Sequence, residues 1–384
     1  MARLEGMKLA LSLCLPALGF LVACTSSQTS QEAADRPYFG AFWRPLETGS
    51  EASLRGISVG ADGSVWASGS EGTILRSLDQ GENWQALGPD DPAGDYRDVE
   101  AIDAESALAI RITEPAQIVV TRDGGASWQI LYESPRATSF FDSIELLDGG
   151  GFVVFGDPQE GVFEVLRSTD MIHVQAVSKS DLPEPKDGEA AFAASGTCVA
   201  AVGDRVWIGT GGQAARVLRS EDQGQTWDPV EAPLRQDTAT AGIYSVAFKD
   251  RDQGVIVGGD YTQPKLGGKN AAVSVDGGKS WVPSESPPRG YRSGVAAIPG
   301  PGDLWVAVGR AGCDFSQDGG RTWFPTGPWN PRSEWEVPGY YAVAFGEGGI
   351  GYAVGSMGRV ARIQAEEVSF DDGADAGPSL RARN

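Results

Sequence analysis

Residues 274–281 read SVDGGKSW, and the phrase returns as SLDQGENW (77–84), TRDGGASW (121–128), SEDQGQTW (220–227) and SQDGGRTW (316–323). A worn copy, Ser168-Thr169-Asp170, keeps the aspartate but lacks the glycine and tryptophan. The aspartates at 79, 123, 170, 222, 276 and 318 stand 44, 47, 52, 54 and 42 residues apart. That period, roughly 40–50 residues, is the length of one four-stranded propeller blade.

The phrase has a local physical logic. An aspartate in a tight turn accepts hydrogen bonds from nearby backbone N–H groups, and glycine supplies the positive φ that such turns need. The tryptophan then opens the next strand with a large ring to pack. Asp79 and Trp84, Asp123 and Trp128, Asp222 and Trp227, Asp276 and Trp281, and Asp318 and Trp323 therefore read as structural hairpin staples, not as metal ligands. The motif resembles the Asp-box, or BNR, repeat.

Each staple sits in the same frame. LRGISV, VWASGS, TILRS, the staple and NWQAL (54–87) spell four short strands separated by turn signals. The order repeats at 96–132, 139–177, 189–233, 241–285 and 290–326, while 340–364 supplies three strands and no staple. Ala41 to Leu46, with Trp43 inside, looks like the strand that follows a staple. It completes the last blade and removes the open edge. The prediction is an all-β, seven-bladed β-propeller of four-stranded antiparallel blades over 37–365, closed by the N-terminal strand and followed by a disordered tail at 366–384.

The N-terminus is a separate matter. Arg3 and Lys8 precede LALSLCLPALGFLVAC, too short for a spanning helix and suited to a signal peptide. Small residues before Cys24 resemble a bacterial lipoprotein box. That resemblance implies cleavage after residue 23, lipidation of Cys24, a flexible tether over 24–36 and a lipid-anchored place in the bacterial cell envelope. Thr25, in place of Asp, favours the periplasmic side of an outer membrane or the cell surface.

Composition excludes several classes. A formal charge of -21 argues against nucleic acid and acidic membranes as partners. His173 is the single histidine, which excludes a multi-His metal site and disfavours a Ser-His-Asp triad. It falls in the worn staple and reads as an ordinary surface or packed residue. No Gly-rich dinucleotide turn opening a helix is present, so no cofactor is expected.

Strand alternation sorts the chain onto two faces. Staples and the turns between first and second strands share one face. The starts of first strands and the turns between second and third strands share the other. On that second mouth the reading places Arg55, Arg97, Asp142, Tyr244, Arg292 and Tyr341, joined by Arg111, Asp157, Asp260, Tyr261 and Arg310. Arginine forks suit carboxylate or phosphate, and tyrosine supplies rigid contact area. The alternative is that these arginines and aspartates pair with one another. The same sorting puts Cys198 and Cys313 on opposite faces, so no disulfide is expected between them.

The run GDPQEGVFEVLRSTD (156–170), AVGDRVWIGTGG (201–212), YSVAFKDRDQGVIVGGDY (244–261) and GYRSGVAAIPG (290–300) resembles the photosystem II stability/assembly factor-like propellers, over about 40–364. The resemblance implies a non-catalytic assembly factor that binds a nascent membrane-protein partner through a basic patch on one propeller face. Arg55, Arg97 and Arg292 fall where that patch would sit. The leading expectation is thus a monomeric, lipid-anchored module holding an envelope protein, peptide or anionic ligand. The rival is a sialidase-like glycoside hydrolase, with Arg55, Arg97 and Arg292 as the arginine cluster, Tyr244 as nucleophile and Asp157 as acid/base. Seven blades in place of six, and no Phe-Arg-Ile-Pro phrase, argue against it.

Overall fold

A computed structural model of the chain describes residues 43–300, 302–325 and 339–364, with the backbone of 369–371 and 379–381. The expectations for the signal peptide, Cys24 and the tether lie outside the described residues. Among the described residues, seven four-stranded antiparallel blades form the ring. Blade one runs Leu54–Val59, Val65–Gly69, Ile74–Ser77 and Gln85–Ala86. Blade two begins at Tyr96–Ala101 and blade three at Phe141–Leu146. Blades four to seven begin at Val199–Val202, Ala241–Phe248, Gly294–Ala297 and Ala342–Phe345. These first strands pack against one another around the axis. Arg44–Leu46 completes blade seven, pairing Arg44 with Arg362 and Leu46 with Val360. Farther on, Ser369–Asp371 pairs with Ser379–Arg381.

The second strands are buried on both faces, which explains their unbroken apolar spelling. In Val65–Gly69, Val65 and Ala67 pack toward blade seven while Trp66 packs toward blade two. The core is accordingly seven clusters, one between each pair of neighbouring blades, not one continuous centre. Each large buried side chain contributes about 1.5–3 kcal/mol, so every blade is stabilised mainly by its two neighbours.

The staples behave as the motif predicts. In SVDGGKSW the buried Ser274 hydroxyl donates to Asp276 Oδ1 at 2.8 Å and accepts from the Gly278 N–H at 2.8 Å. Asp276 in turn accepts from the Ser280 N–H at 3.0 Å and the Ser280 hydroxyl at 2.6 Å. Equivalent bonds recur around Asp79, Asp123, Asp222 and Asp318. In the worn copy His173 takes over: its Nδ1 lies 2.6 Å from Asp170 Oδ2 and its N–H donates to Oδ1 at 2.8 Å. The histidine is thus a staple part. Staple N–H groups at Gly124, Gln223, Gly277 and Gly319 donate to carbonyls in first-to-second strand turns, which places both on one face.

The fourth blade departs from the sequence reading. Its inner strand begins at Val199, not near residue 189. Glu189–Ala190 instead pairs with Gly211–Gly212, and Gly211 pairs with Gly242, extending the sheet of blade five to six strands. The backbones approach so closely there that a Cβ on Gly242 would lie 2.2 Å from the Gly211 Cα. This correction moves Cys198 to the head of an inner strand, on the same side of the ring as Cys313. Both are thiols, but they are kept apart by lying in different blades and different core clusters, not on opposite faces.

Candidate functional site

Two kinds of position build the mouth: the heads of inner strands and the turns that follow second strands. Arg55, Arg97, Asp142, Tyr244 and Tyr341 stand at or near strand heads. Arg111, Asp157, Asp260, Tyr261 and Arg310 stand at the turns. The structure brings only some of them together, because several are consumed by pairing.

Arg97 forks onto Asp95, with Nε 3.0 Å from Oδ1 and Nη2 2.9 Å from Oδ2. Arg111 donates to Asp91 at 2.7 Å and to the Thr113 and Pro115 carbonyls at 2.8 Å each, bracing its own loop. Arg292, 2% exposed, pairs with the fully buried Asp314 and donates to the Tyr291 carbonyl at 2.7 Å. Asp260 accepts from Thr238, Thr240 and Thr262 hydroxyls, the Thr262 N–H and Gln263. Burial works to raise its pKa, but these donors outweigh it and pull the carboxyl down to about 2. Asp260 is therefore a turn-builder. Tyr261 beside it is 42% exposed.

Arg55 is different. Its guanidinium carbon lies 4.1 Å from the centroid of the Tyr341 ring, and no carboxylate pairs with it among the described residues. Burial, then the like charge of Arg97, lowers its pKa, while Tyr341 and Tyr291 oppose this. Stacking on a ring leaves the N–H fork unfilled. Next to it runs an aromatic arc. Phe192 stacks on Tyr244 at 4.0 Å, and Tyr244 meets Tyr291 edge-on at 4.7 Å. Tyr244 is 1% exposed and donates its hydroxyl to the Thr240 carbonyl at 2.8 Å.

The channel behind the mouth is bridged by residues 191–197. The Ala191 N–H donates to Asp157 at 3.1 Å. Arg97 donates to the Ala193 carbonyl at 3.1 Å. Ser195 donates to the Ser293 carbonyl and the Gly196 carbonyl accepts from Ser143, both at 2.6 Å. Thr197 bonds Ser245 at 2.7 Å. One strap thus ties the inner strands of blades two, three, five and six. Its leading end is pinned by the buried Glu189–Arg216 ion pair. Below it, Asp98, Glu100 and Glu145 line blades two and three. Glu100 and Glu145 keep some accessible surface because they face the channel, yet protein surrounds them. Burial pushes Glu100 up to about 8, and burial with mutual repulsion raises Asp98 and Glu145. Among the described residues no cluster of His, Cys, Asp or Glu could hold a metal ion, and no helix is long and apolar enough to cross a membrane.

Sequence reading missed Asp95, Asp91, Asp314, Tyr291 and the whole strap. Asp95 had a signal, since residues two apart on a strand share a face.

No protein-family model matches the chain. It is 26% identical over 278 residues to the photosystem II assembly lipoprotein Ycf48 of Synechococcus sp. (strain CC9902), covering 69% of this chain and 72% of that protein. A structure of YCF48 bound to D1 peptide is 19% identical, with TM-score 0.58, over 84% of this chain and 97% of the other. YCF48 from Cyanidioschyzon merolae is 17% identical, with TM-score 0.60, over 84% and 99%. The chain is thus a seven-bladed, staple-bearing β-propeller that is similar to Ycf48.

Proposed function

We propose that the chain is a non-catalytic, lipid-anchored binding module of the bacterial cell envelope, holding a protein or peptide segment over the arginine-tyrosine mouth. The observation that carries this is Arg55: a cation at the mouth, positioned by Tyr341, with its hydrogen-bonding fork unspent. The relative from Synechococcus is an assembly lipoprotein, which supports both the role and the anchor at Cys24. A YCF48 structure holds a D1 peptide, which supports a peptide-like partner.

The hydrolase reading is not favoured. Tyr244 is buried and spends its hydroxyl on Thr240, Arg292 is locked to Asp314, and Asp157 accepts from the Ala191 N–H. None of the three is presented to a sugar.

An array of short peptides bearing acidic side chains or free C-terminal carboxylates tests the proposal. Peptides bound by the protein should lose roughly tenfold or more in affinity to Arg55→Ala, the worth of about 1.5–3 kcal/mol for a hydrogen bond to a charged group. Equal retention by the variant, or turnover of aryl glycosides by the wild type, would overturn it.

A further inference from the structure

The strap rests on a seat that is chemically odd. Asp142, at the head of the inner strand of blade three, has no exposed surface, and neither carboxyl oxygen makes a well-formed hydrogen bond. Asp157, one strand over, touches the strap directly through the Ala191 N–H. A carboxylate charge buried with only the poorly aligned Ala193 N–H of the strap beside it is disfavoured in low dielectric, so the closed arrangement suits Asp142 with its proton on. The charged and titratable groups that act on Asp142 come from three blades. Asp157 shares blade three, Arg97 faces the pair from blade two, and the Cys198 thiol faces it from blade four, with Asp98 beyond. Arg97 is the only cation among them, and it is already forked onto Asp95 and bonded to Ala193.

We propose that residues 191–197 form a proton-operated strap: it is seated across the channel while Asp142 and Asp157 hold their protons, and it lifts when they ionise, freeing the Arg97 Nη1 from the Ala193 carbonyl while the Arg97 fork stays on Asp95. The regulatory sense of this rests on the mouth being the binding site, whereas the movement of the strap does not. Burial first, and the neighbouring Asp157 charge second, raise the pKa of Asp142 against weaker opposition from the Ala193 N–H and Arg97. Burial likewise raises Asp157, against the Ala191 N–H. The sign follows. A carboxyl whose pKa is higher when seated favours seating at low pH. The fraction open then climbs by up to tenfold per pH unit for each proton released, until the seated pKa is passed.

Hydrogen exchange of the full chain without ligand reads the strap directly. After correction for intrinsic rates, protection of the 191–197 amides should fall at least tenfold between about pH 5.5 and about pH 8.5. It should fall further than protection of Val255–Val257 in blade five, which reports global opening. Asp142→Asn, the same shape without the charge, should cut the pH slope of strap protection by half or more. If that variant does not fold, Asp157→Asn should halve the pH slope. A wild-type strap whose protection does not change relative to blade five, or an Asp142→Asn strap that titrates as wild type does, would overturn the proposal. Because no ligand is present, a failure here leaves the peptide-binding reading to stand or fall on its own assay.

Discussion

Arg292 and Asp314 form an ion pair wholly inside blade six, with Arg292 Nε 2.5 Å from Asp314 Oδ2 and almost no solvent contact on either side chain. Removing one partner of such a pair leaves an uncompensated buried charge. Arg292→Ala should cost about 3–5 kcal/mol in urea unfolding, whereas the paired Arg292→Met and Asp314→Leu change should recover much of it. Arg55→Ala should leave the unfolding midpoint nearly unchanged. A binding defect in an Arg292 variant is then a folding defect, which separates it from Arg55.

Gly196 sets the path of the strap. Its φ is +66°, and a Cβ there would lie 2.2 Å from Asp98 Oδ1 and 2.3 Å from Asp98 Cγ. Gly161 has φ +76° but open space around it. Gly161→Ala should cost only the left-handed penalty, about 1–2 kcal/mol. Gly196→Ala should add the overpacking cost, about 1–3 kcal/mol more, in thermal or chemical unfolding. Equal costs would mean that Asp98 yields freely.

The carboxyls of the channel make stability depend on pH in a defined sense. Glu100 is pushed up to about 8 by burial, and Asp98 and Glu145 move the same way. Raised carboxyls contribute stability that is present below their unfolded pKa, about 4, and is lost as pH rises through about 8. The melting temperature should therefore fall across that window, and Glu100→Gln should flatten the fall. The staple aspartates act oppositely. Hydrogen bonds from the Asn83 side chain and N–H lower Asp79, and those from Ser127 lower Asp123, so their contribution vanishes at low pH. A melting temperature that rises steadily to pH 8 would contradict the channel assignment.

Ser274→Ala tests the staple itself. The variant strands the buried Gly278 N–H, which should cost about 1–3 kcal/mol. Calcium or chelator should leave the melting temperature of the wild type unchanged, because each staple carboxylate is already filled by N–H and O–H donors.

Cys24→Ala tests the anchor. Expressed with its N-terminus intact, the wild type should follow the detergent phase and the variant the aqueous phase.

The ring was legible because its staple has few physical solutions. A turn that needs an acceptor, a positive φ and a packing ring repeats its residues visibly. Blade closure was legible too, since Trp43 copies the tryptophan that ends a staple. The mouth was half legible. Which residues reach it follows from alternation, but which are consumed there does not. Arg292 and Asp314 lie 22 residues apart, one just ahead of the first strand and one on the third, a pairing set by side-chain reach past the strand between. The strap left no mark in the staple spacing: the 52-residue interval that holds it, Asp170 to Asp222, is shorter than the 54 residues from Asp222 to Asp276. Its stretch 191–197, AFAASGT, has no strand or helix period, because its bonds go to four different blades.

The closing strand also gives the ring a back and a front. Arg44, at the start of that strand, reaches Glu82 of the first staple at 3.1 Å, while Thr48 beyond it donates to the Gly358 carbonyl on the mouth side. Within the described residues the closing strand therefore starts on the stapled face and delivers the chain to the mouth, so the ring carries Arg44 at its back and Arg55 with Tyr341 at its front.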